Sequence, residues 1–116
     1  RIWCVFGCGG ERDPGKRPEM GAIADRLADK IVLTNDNPRA EDPLQILGQI
    51  ESGIQRHKAV RIPDRREAIG FAIRQADSGD LVLVAGKGHE TAQVVGSERI
   101  PFSDRTVVAN LLEEIC

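Results

Sequence analysis

The sequence is poor in features that mark nucleic-acid-binding proteins. Sixteen basic and eighteen acidic side chains leave a formal net charge of −2, and only 3% of the residues are aromatic. No stretch brings Lys and Arg together with aromatic side chains, which is the pattern that follows a nucleic-acid backbone. We therefore expect no nucleic-acid partner.

Long apolar runs are also missing. The longest, such as Leu-Val-Leu-Val-Ala at 81–85, are far shorter than the roughly 20 residues that a helix needs to cross a bilayer. No leader with a charged and then an apolar segment precedes them in this sequence. The prediction is a cytoplasmic domain without a membrane partner.

Cysteine and histidine are scarce. Cys4, Cys8 and Cys116 form no Cys-x-x-Cys pair, and His57 and His89 lie far from them in the sequence. A zinc site needs three or four such ligands at characteristic spacing. The sequence thus predicts no metal site, and it predicts reduced thiols of the kind that cytosolic proteins carry.

The overall composition is that of one globular domain. Hydrophobic residues make up 41% of the chain and charged residues 29%, which is enough apolar surface for a modest core. The chain begins with Arg1 rather than Met and enters a strand-like run at once. This start suggests a domain cut from a longer protein.

Apolar periodicity predicts strands that alternate with helices. Strand-like runs occupy 1–6, 30–34, 59–62 and 80–85, and amphipathic stripes predict helices that begin near 18, 43, 64 and 103. The fourth strand is apolar on both faces, so we expect it at the centre of the sheet. Near the end, 91–95 and 99–102 flank Gly-Ser-Glu, a connection typical of a hairpin. The pattern predicts an α/β fold with a mostly parallel sheet and an antiparallel hairpin at its edge.

Three polar loops follow predicted strands and should meet at one edge of the sheet, because open parallel sheets bind ligands at the carboxyl ends of their strands. We call 7–17 loop 1, 36–41 loop 2 and 86–90 loop 3. Loop 1 contains Gly10–Lys16, which fits the start of a P-loop. Arg17, however, stands where a P-loop needs Ser or Thr for magnesium. We interpret loop 1 as presenting Arg12, Lys16 and Arg17 to anionic groups in front of a helix N-terminus, with a solvated glycine turn as the alternative.

Loops 2 and 3 carry complementary charges. Arg39 follows Pro38 on a stiffened turn, where a guanidinium suits a carboxylate in two-point contact; a plain surface arginine is the alternative. In loop 3 two glycines allow a ligand to approach closely, and Glu90 can accept hydrogen bonds from an ammonium group. For His89 both a loop-stabilising and a direct role stay open. Together, Arg12, Arg39 and Glu90 are complementary to a zwitterion.

Four segments at these loops resemble the MurE family of Mur ligases, the UDP-N-acetylmuramoyl-tripeptide synthetases. The segments are Phe-Gly-Cys-Gly-Gly-Glu-Arg-Asp with Lys-Arg-Pro (6–13 and 16–18), Thr-Asn-Asp-Asn-Pro-Arg-Ala-Glu (34–41), Val-Ala-Gly-Lys-Gly-His-Glu (84–90) and Phe-Ser-Asp-Arg (102–105). They occur in the family's order and span nearly the whole chain. Each segment is weakly specific by itself, but the four together are highly specific.

The resemblance implies a domain of an ATP-dependent ligase of peptidoglycan synthesis. In that family ATP activates the D-glutamate carboxylate of UDP-MurNAc-L-Ala-D-Glu, and the amine of an incoming amino acid attacks it. Residues 1–116 would be the Rossmann-like C-terminal domain, with helices on both faces of its sheet and without its first strand and helix. ATP, Mg²⁺ and the UDP-sugar belong to N-terminal and central partner domains. The chain alone is therefore expected to be inactive, with no catalytic residue, metal or bound cofactor.

The resemblance also implies an amino acid and its contacts. Asp-Asn-Pro-Arg at 36–39 is associated with meso-diaminopimelate, whereas lysine-adding relatives depart from it at the arginine. By position, Arg12 and Arg39 would hold the distal carboxylate, with Asn37 and Asp36 shaping the same pocket. The Gly86 carbonyl and Glu90 would receive the distal ammonium. The expected site comprises Arg12, Asp36, Asn37, Pro38, Arg39, the Gly86 carbonyl and Glu90 around the amino acid, with Lys16 and Arg17 toward the ATP phosphates.

Three alternatives remain at this stage. The chain could belong to a lysine-adding member of the same family, against which Arg39 argues. It could be a non-catalytic module that binds amino acids. It could also be a small nucleotide-binding kinase or reductase that uses loop 1.

Overall fold

The computed structural model describes residues 1–56, 58–87 and 90–115. Along the chain lie β1 (Ile2–Phe6), α1 (Lys16–Leu27), β2 (Lys30–Leu33), α2 (Pro43–Glu51), β3 (Val60–Arg61), α3 (Arg65–Gln75), β4 (Leu81–Val84), β5 (Ala92–Val95), β6 (Glu98–Pro101) and α4 (Asp104–Ile115). The first four strands form one parallel sheet in the order β3-β2-β1-β4. The predictions that fall on His57, Gly88, His89 and Cys116 lie outside the described residues.

Helices cover the sheet from both sides, as predicted. Alternate strand residues point to opposite faces, so β1 sends Phe6 to one core and Trp3 and Val5 to the other. The Phe6 side packs against α1 and α2, and the Trp3 side packs against α3 and α4. The Rossmann-like α/β prediction is confirmed.

The capping residues in the sequence predicted the helix starts closely. Helix α2 begins at Pro43 because the Asp42 side chain accepts a hydrogen bond from Leu44 N at 3.0 Å, as an N-cap does. Asp64 occupies the same position before α3, but its side chain makes no cap bond. Helix α1 begins at Lys16, slightly earlier than predicted.

The prediction that the fourth strand is central was wrong. Among the described residues β4 pairs with β1 alone and ends the sheet, while β1 lies between β2 and β4. Leu81 and Leu83 are 60% and 50% exposed. Their apolar character reflects a face that the described part of the chain leaves uncovered.

The hairpin forms a separate two-stranded sheet rather than the edge of the main one. It is attached to loop 2 instead. Arg39 N donates to Val94 O at 3.0 Å, and Gly96 N donates to Arg39 O at 2.5 Å. This pairing places the hairpin beside the carboxyl ends of the main strands, where it supports loop 2.

Candidate functional site

The three predicted loops meet at the carboxyl end of the sheet. An open cavity of about 350 Å³ lies there, and residues of all three loops line it. Loop 1 contributes Arg12 and Lys16, loop 2 contributes Asp36, and loop 3 contributes Gly86. Arg17 of loop 1 lines the cavity too, so the structure brings together five of the predicted site residues.

Gly9 lies between the two predicted carboxylate-binding arginines. A methyl group built on Gly9 would be 3.0 Å from Nη1 of Arg39 and 3.3 Å from Cγ of Arg12. Both side chains thus border the same stretch of bare backbone. Guanidinium groups are suited to bind carboxylates, so the two arginines beside Gly9 stay candidates for the predicted contact.

Loops 1 and 2 are joined backbone to backbone. Gly10 N donates to Asn37 O at 2.7 Å, and Arg39 Nη1 donates to Gly10 O at 2.9 Å. A Cβ on Gly10 would lie 1.8 Å from Pro38 O, so only glycine fits this contact. Glu11 and Arg39 adopt φ values of 57° and 54°, a left-handed conformation that is unusual for residues other than glycine. Such strain is often held at functional loops.

Arg17 borders the cavity, but its guanidinium is held by groups of the protein. Its side chain is 1% exposed and lies between Glu41 and Gln49, with Nη1–oxygen distances of 2.5 and 2.6 Å. Its Nη2 donates to Glu41 Oε1 and to Gly9 O. Through these bonds Arg17 connects Gly9 of loop 1 to Glu41 of loop 2. Its buried guanidinium faces these partners, and its place toward the ATP phosphates stays a prediction.

Asn37 and Pro38 are buried inside loop 2. Asn37 Oδ1 accepts hydrogen bonds from Val94 N at 2.9 Å and from Lys87 Nζ at 3.3 Å. Lys87, only 2% exposed, also donates to Ala92 O. Both acceptor positions of the Asn37 carbonyl are occupied by the protein, so this side chain ties loop 2 to the hairpin and loop 3.

Asp36 is the most unusual carboxyl group of the site. Its Oδ1 is buried without a hydrogen-bond partner. Burial raises the pKa of Asp36, while Arg65 and Lys87 act in the opposite direction and Glu90 adds to the rise. An unpartnered acid that lines the cavity is suited to receive a hydrogen-bond donor from a ligand.

Glu90 is exposed and does not line the cavity. Its backbone N donates to Lys87 O at 3.0 Å. Its charge acts on Asp36. The structure thus places Glu90 close to the cavity but outside its lining.

Cys4 and Cys8 are free thiols, and burial raises the pKa of both. Among the described residues, no group of three or more His, Cys, Asp or Glu is arranged to hold a metal ion. Within the same residues, no helix is long and apolar enough to span a bilayer.

Sequence reasoning missed two buried cations beside the site, Arg65 and Lys87. Arg65 was passed over because the stripe of α3 was traced through its apolar residues. A lysine in a polar loop is ordinarily exposed, whereas Lys87 is 2% exposed. A helix-starting arginine and a charged residue between two glycines give no sequence signal of burial.

Comparison with known proteins identifies the family. The family model described as Mur ligase, glutamate ligase domain, matches residues 1–88. This chain belongs to the Mur ligase family. Its Rossmann-like sheet and its converging loops are therefore those of a Mur ligase domain.

Individual Mur ligases match nearly the whole chain. It is 56% identical over 106 residues to UDP-N-acetylmuramoyl-L-alanyl-D-glutamate--2,6-diaminopimelate ligase of Ralstonia nicotianae, covering 90% of this chain and 21% of that protein. The enzymes of the same name from Buchnera aphidicola and Geobacillus kaustophilus are 49% and 53% identical over 115 residues, or 98% and 97% of this chain and 23% and 24% of theirs.

A solved structure of a ligase with that name has the same fold. It superimposes with a TM-score of 0.94 at 46% identity, over 99% of this chain and 24% of that chain. The Mur ligase chain described here thus spans about a quarter of the length of these relatives.

Proposed function

We propose that this chain is the amino-acid-binding domain of an ATP-dependent ligase that adds meso-diaminopimelate to UDP-MurNAc-L-Ala-D-Glu in peptidoglycan synthesis. The relatives named above are ligases whose names include 2,6-diaminopimelate. The observation that carries the proposal is the placement of Arg12 and Arg39 around Gly9. Two guanidinium groups beside a residue without a side chain suit a carboxylate.

The proposed contacts follow from charge. Arg12 and Arg39 bind the distal carboxylate of diaminopimelate. Asp36, which lines the cavity, receives the distal ammonium together with the Gly86 carbonyl, and Glu90 attracts it from just outside the cavity. Asn37 and Pro38 hold loop 2 in shape and contribute through that shape.

The same contacts explain selectivity over lysine. Lysine lacks the distal carboxylate but keeps the distal ammonium, so its binding would leave Arg12 and Arg39 without an anion and close to a further positive charge. A polar group left unpaired in a closed site costs about 1–3 kcal/mol, and more when it is charged. The lysine-adding alternative is therefore disfavoured by the two arginines.

ATP and Mg²⁺ are assigned to the partner domains of the full-length protein. Loop 1 does not fit a P-loop, because Arg17 stands at the magnesium-ligand position and is bound to Glu41 inside the fold. Lys16 is exposed in the first turn of α1 and lines the cavity. We propose that Lys16 faces the ATP phosphates from this side. ATP supplies the activation of the acceptor carboxylate, and this domain supplies the amino acid that attacks it.

An apolar groove supports the proposal that the domain lacks its first strand and helix. The groove has a volume of about 440 Å³ and borders β4, the end strand of the sheet. Its wall contains large side chains that are at least 40% exposed: Ile2, Met20, Ile23, Leu27, Leu81 and Leu83. A strand beside β4 and a helix over the groove would bury them. We further propose that the chain alone is inactive and that the full-length protein works in the cytoplasm.

The test is the amino-acid selectivity of the full-length protein. ATP-dependent addition to UDP-MurNAc-L-Ala-D-Glu is measured with meso-diaminopimelate and with L-lysine. We expect kcat/KM for lysine to be lower by a factor of roughly 100 or more, because lysine offers no carboxylate to the two arginines. Equal use of both amino acids would refute the proposed contacts, and addition of neither would refute the proposed activity.

A further inference from the structure

Arg65 is a buried arginine that no part of the proposed binding mechanism uses. It is the first residue of α3 and is 1% exposed. Its Nε and Nη2 donate to the two carboxylate oxygens of Asp104, both at 2.7 Å. This two-point pair joins the start of α3 to the start of α4.

The remaining hydrogen bonds of Arg65 reach the carboxyl ends of two strands. Nη1 donates to Asn35 O at 3.1 Å, just beyond β2, and Nη2 donates to Ala85 O at 3.1 Å, just beyond β4. Strand β1 lies between β2 and β4 in the sheet. One guanidinium group therefore spans the end of β1 and connects the two loops on either side of it.

The residues that follow these two carbonyls line the cavity. Asn35 precedes Asp36, and Ala85 precedes Gly86. A shift of either carbonyl moves the neighbouring cavity residue, because the two are joined by a single peptide unit. The distance between Asp36 and Gly86 thus depends on the hydrogen bonds from Arg65 to the carbonyls of Asn35 and Ala85.

Only arginine can make this set of contacts. The guanidinium carries five N–H donors in a rigid fork, whereas the ammonium of lysine carries three on a flexible stem. Asp104, itself 6% exposed, keeps the fork in one orientation and balances its charge. Neither role requires Arg65 to touch a ligand.

We infer that Arg65 is a positioning residue of the amino-acid site, which sets the separation of Asp36 from Gly86 through the carbonyls of Asn35 and Ala85. This inference rests on the proposed function, since it assigns Arg65 to the site where diaminopimelate binds. It predicts a specific defect in use of the amino acid.

The competing explanation is that the Arg65–Asp104 pair only stabilises the fold. A buried ion pair replaced as a whole by apolar residues of similar volume often leaves stability unchanged or increased. The double variant Arg65→Met/Asp104→Leu therefore separates the two explanations. It removes the tethers to both carbonyls without leaving an unpaired buried charge.

The experiment is steady-state kinetics of the full-length protein. In Arg65→Met/Asp104→Leu we expect the KM for meso-diaminopimelate to rise roughly 10- to 100-fold, because small displacements of binding groups have effects of this size. The KM for ATP and the thermal midpoint should stay near wild type. The control is Arg66→Met/Glu114→Leu, which removes an exposed ion pair between the same two helices.

Each outcome decides the matter. An unchanged KM for diaminopimelate in the folded double variant, or a rise in both KM values together with a lowered thermal midpoint, would overturn the positioning role. If the double variant does not fold, Arg65→Lys takes its place and should raise the same KM selectively. A wild-type rate that does not depend on diaminopimelate would instead refute the proposed function.

Discussion

The carboxyl end of the sheet and the groove along β4 are two surfaces of this chain that differ in their contacts. The loops at the carboxyl end are bonded to one another, whereas the apolar side chains of the groove are exposed. At the carboxyl end, loops 1 and 2 are joined by the hydrogen bond from Gly10 N to Asn37 O and by the Arg17–Glu41 ion pair. The close contact of Gly10 with Pro38 O leaves no room for a side chain there. Along β4, large apolar side chains stay exposed. Loops 1 and 2 are thus held in place by contacts within the chain, whereas the described residues leave the apolar face along β4 uncovered.

The largest effect should come from breaking the contact between loops 1 and 2. In Gly10→Ala the new Cβ would lie 1.8 Å from Pro38 O, and backbone atoms cannot yield to that extent. We expect the free energy of unfolding to fall by about 3 kcal/mol or more, measured by chemical denaturation.

Gly48→Ala is the matched control for that substitution. Gly48 lies in α2, and its added Cβ would be 3.8 Å from its nearest neighbour, Nη2 of Arg61. Alanine is favoured over glycine within a helix, so we expect this variant to gain up to about 1 kcal/mol. Equal behaviour of the two variants would show that loops 1 and 2 are not locked together.

A smaller change in stability is expected for a substitution in the groove, and its size should differ between this chain and the full-length protein. In this chain alone Leu83 is 50% exposed, so Leu83→Gln should change the unfolding free energy by less than about 0.5 kcal/mol. In the full-length protein, where a strand and a helix are proposed to bury Leu83, the same change should cost about 1.5–3 kcal/mol.

Leu44→Gln serves as the control for the groove. Leu44 is 56% exposed on α2 and lies outside the groove, so the cost of its replacement should be the same in both proteins. A Leu83→Gln cost that is equally small in the full-length protein would argue against a covering segment.

The smallest effect concerns pH. The hydrogen bonds from Arg17 and from Glu11 N lower the pKa of Glu41 from 4.5 to about 2. A lowered carboxyl pKa contributes stability above the unfolded-state value and loses it as the pH falls toward the folded-state value. We expect Glu41→Gln to flatten the decline in thermal midpoint between pH 4.5 and about 2.

Asp29→Asn supplies a comparison, since Asp29 accepts a hydrogen bond from Ile2 N on the opposite end of the sheet. It leaves the Glu41 pair intact, so the decline that this pair causes should persist. If the thermal midpoint of Glu41→Gln declines with falling pH as wild type does, the Arg17–Glu41 pair does not cause the acid-dependent loss of stability.

Much of the fold follows from local sequence signals. Apolar periodicity predicted the strands and helices in order, and Asp42 with Pro43 predicted the start of α2. The position of β4 could not be predicted, because an apolar run shows that a strand can be buried on both faces and not that it is. What covers those faces depends on residues distant in the chain.

The site was predicted only in part, because some of its contacts also depend on residues distant in the chain. Arg12, Lys16, Asp36 and Gly86 share a cavity because the ends of parallel strands meet at one edge. The burial of Arg17 depends on Glu41 and Gln49, 24 and 32 residues away. Arg65 depends on Asp104, 39 residues away. Such long-range pairs leave no periodic pattern, so the sequence did not distinguish a ligand-binding cation from a structural one.

The most direct test of the central claim is a crystal structure of the full-length protein with meso-diaminopimelate bound. The account predicts the distal carboxylate within hydrogen-bond distance of Arg12 and Arg39 and the distal ammonium beside Asp36 and Gly86. A ligand whose distal carboxylate lies away from both arginines, or whose ammonium faces them, would contradict it.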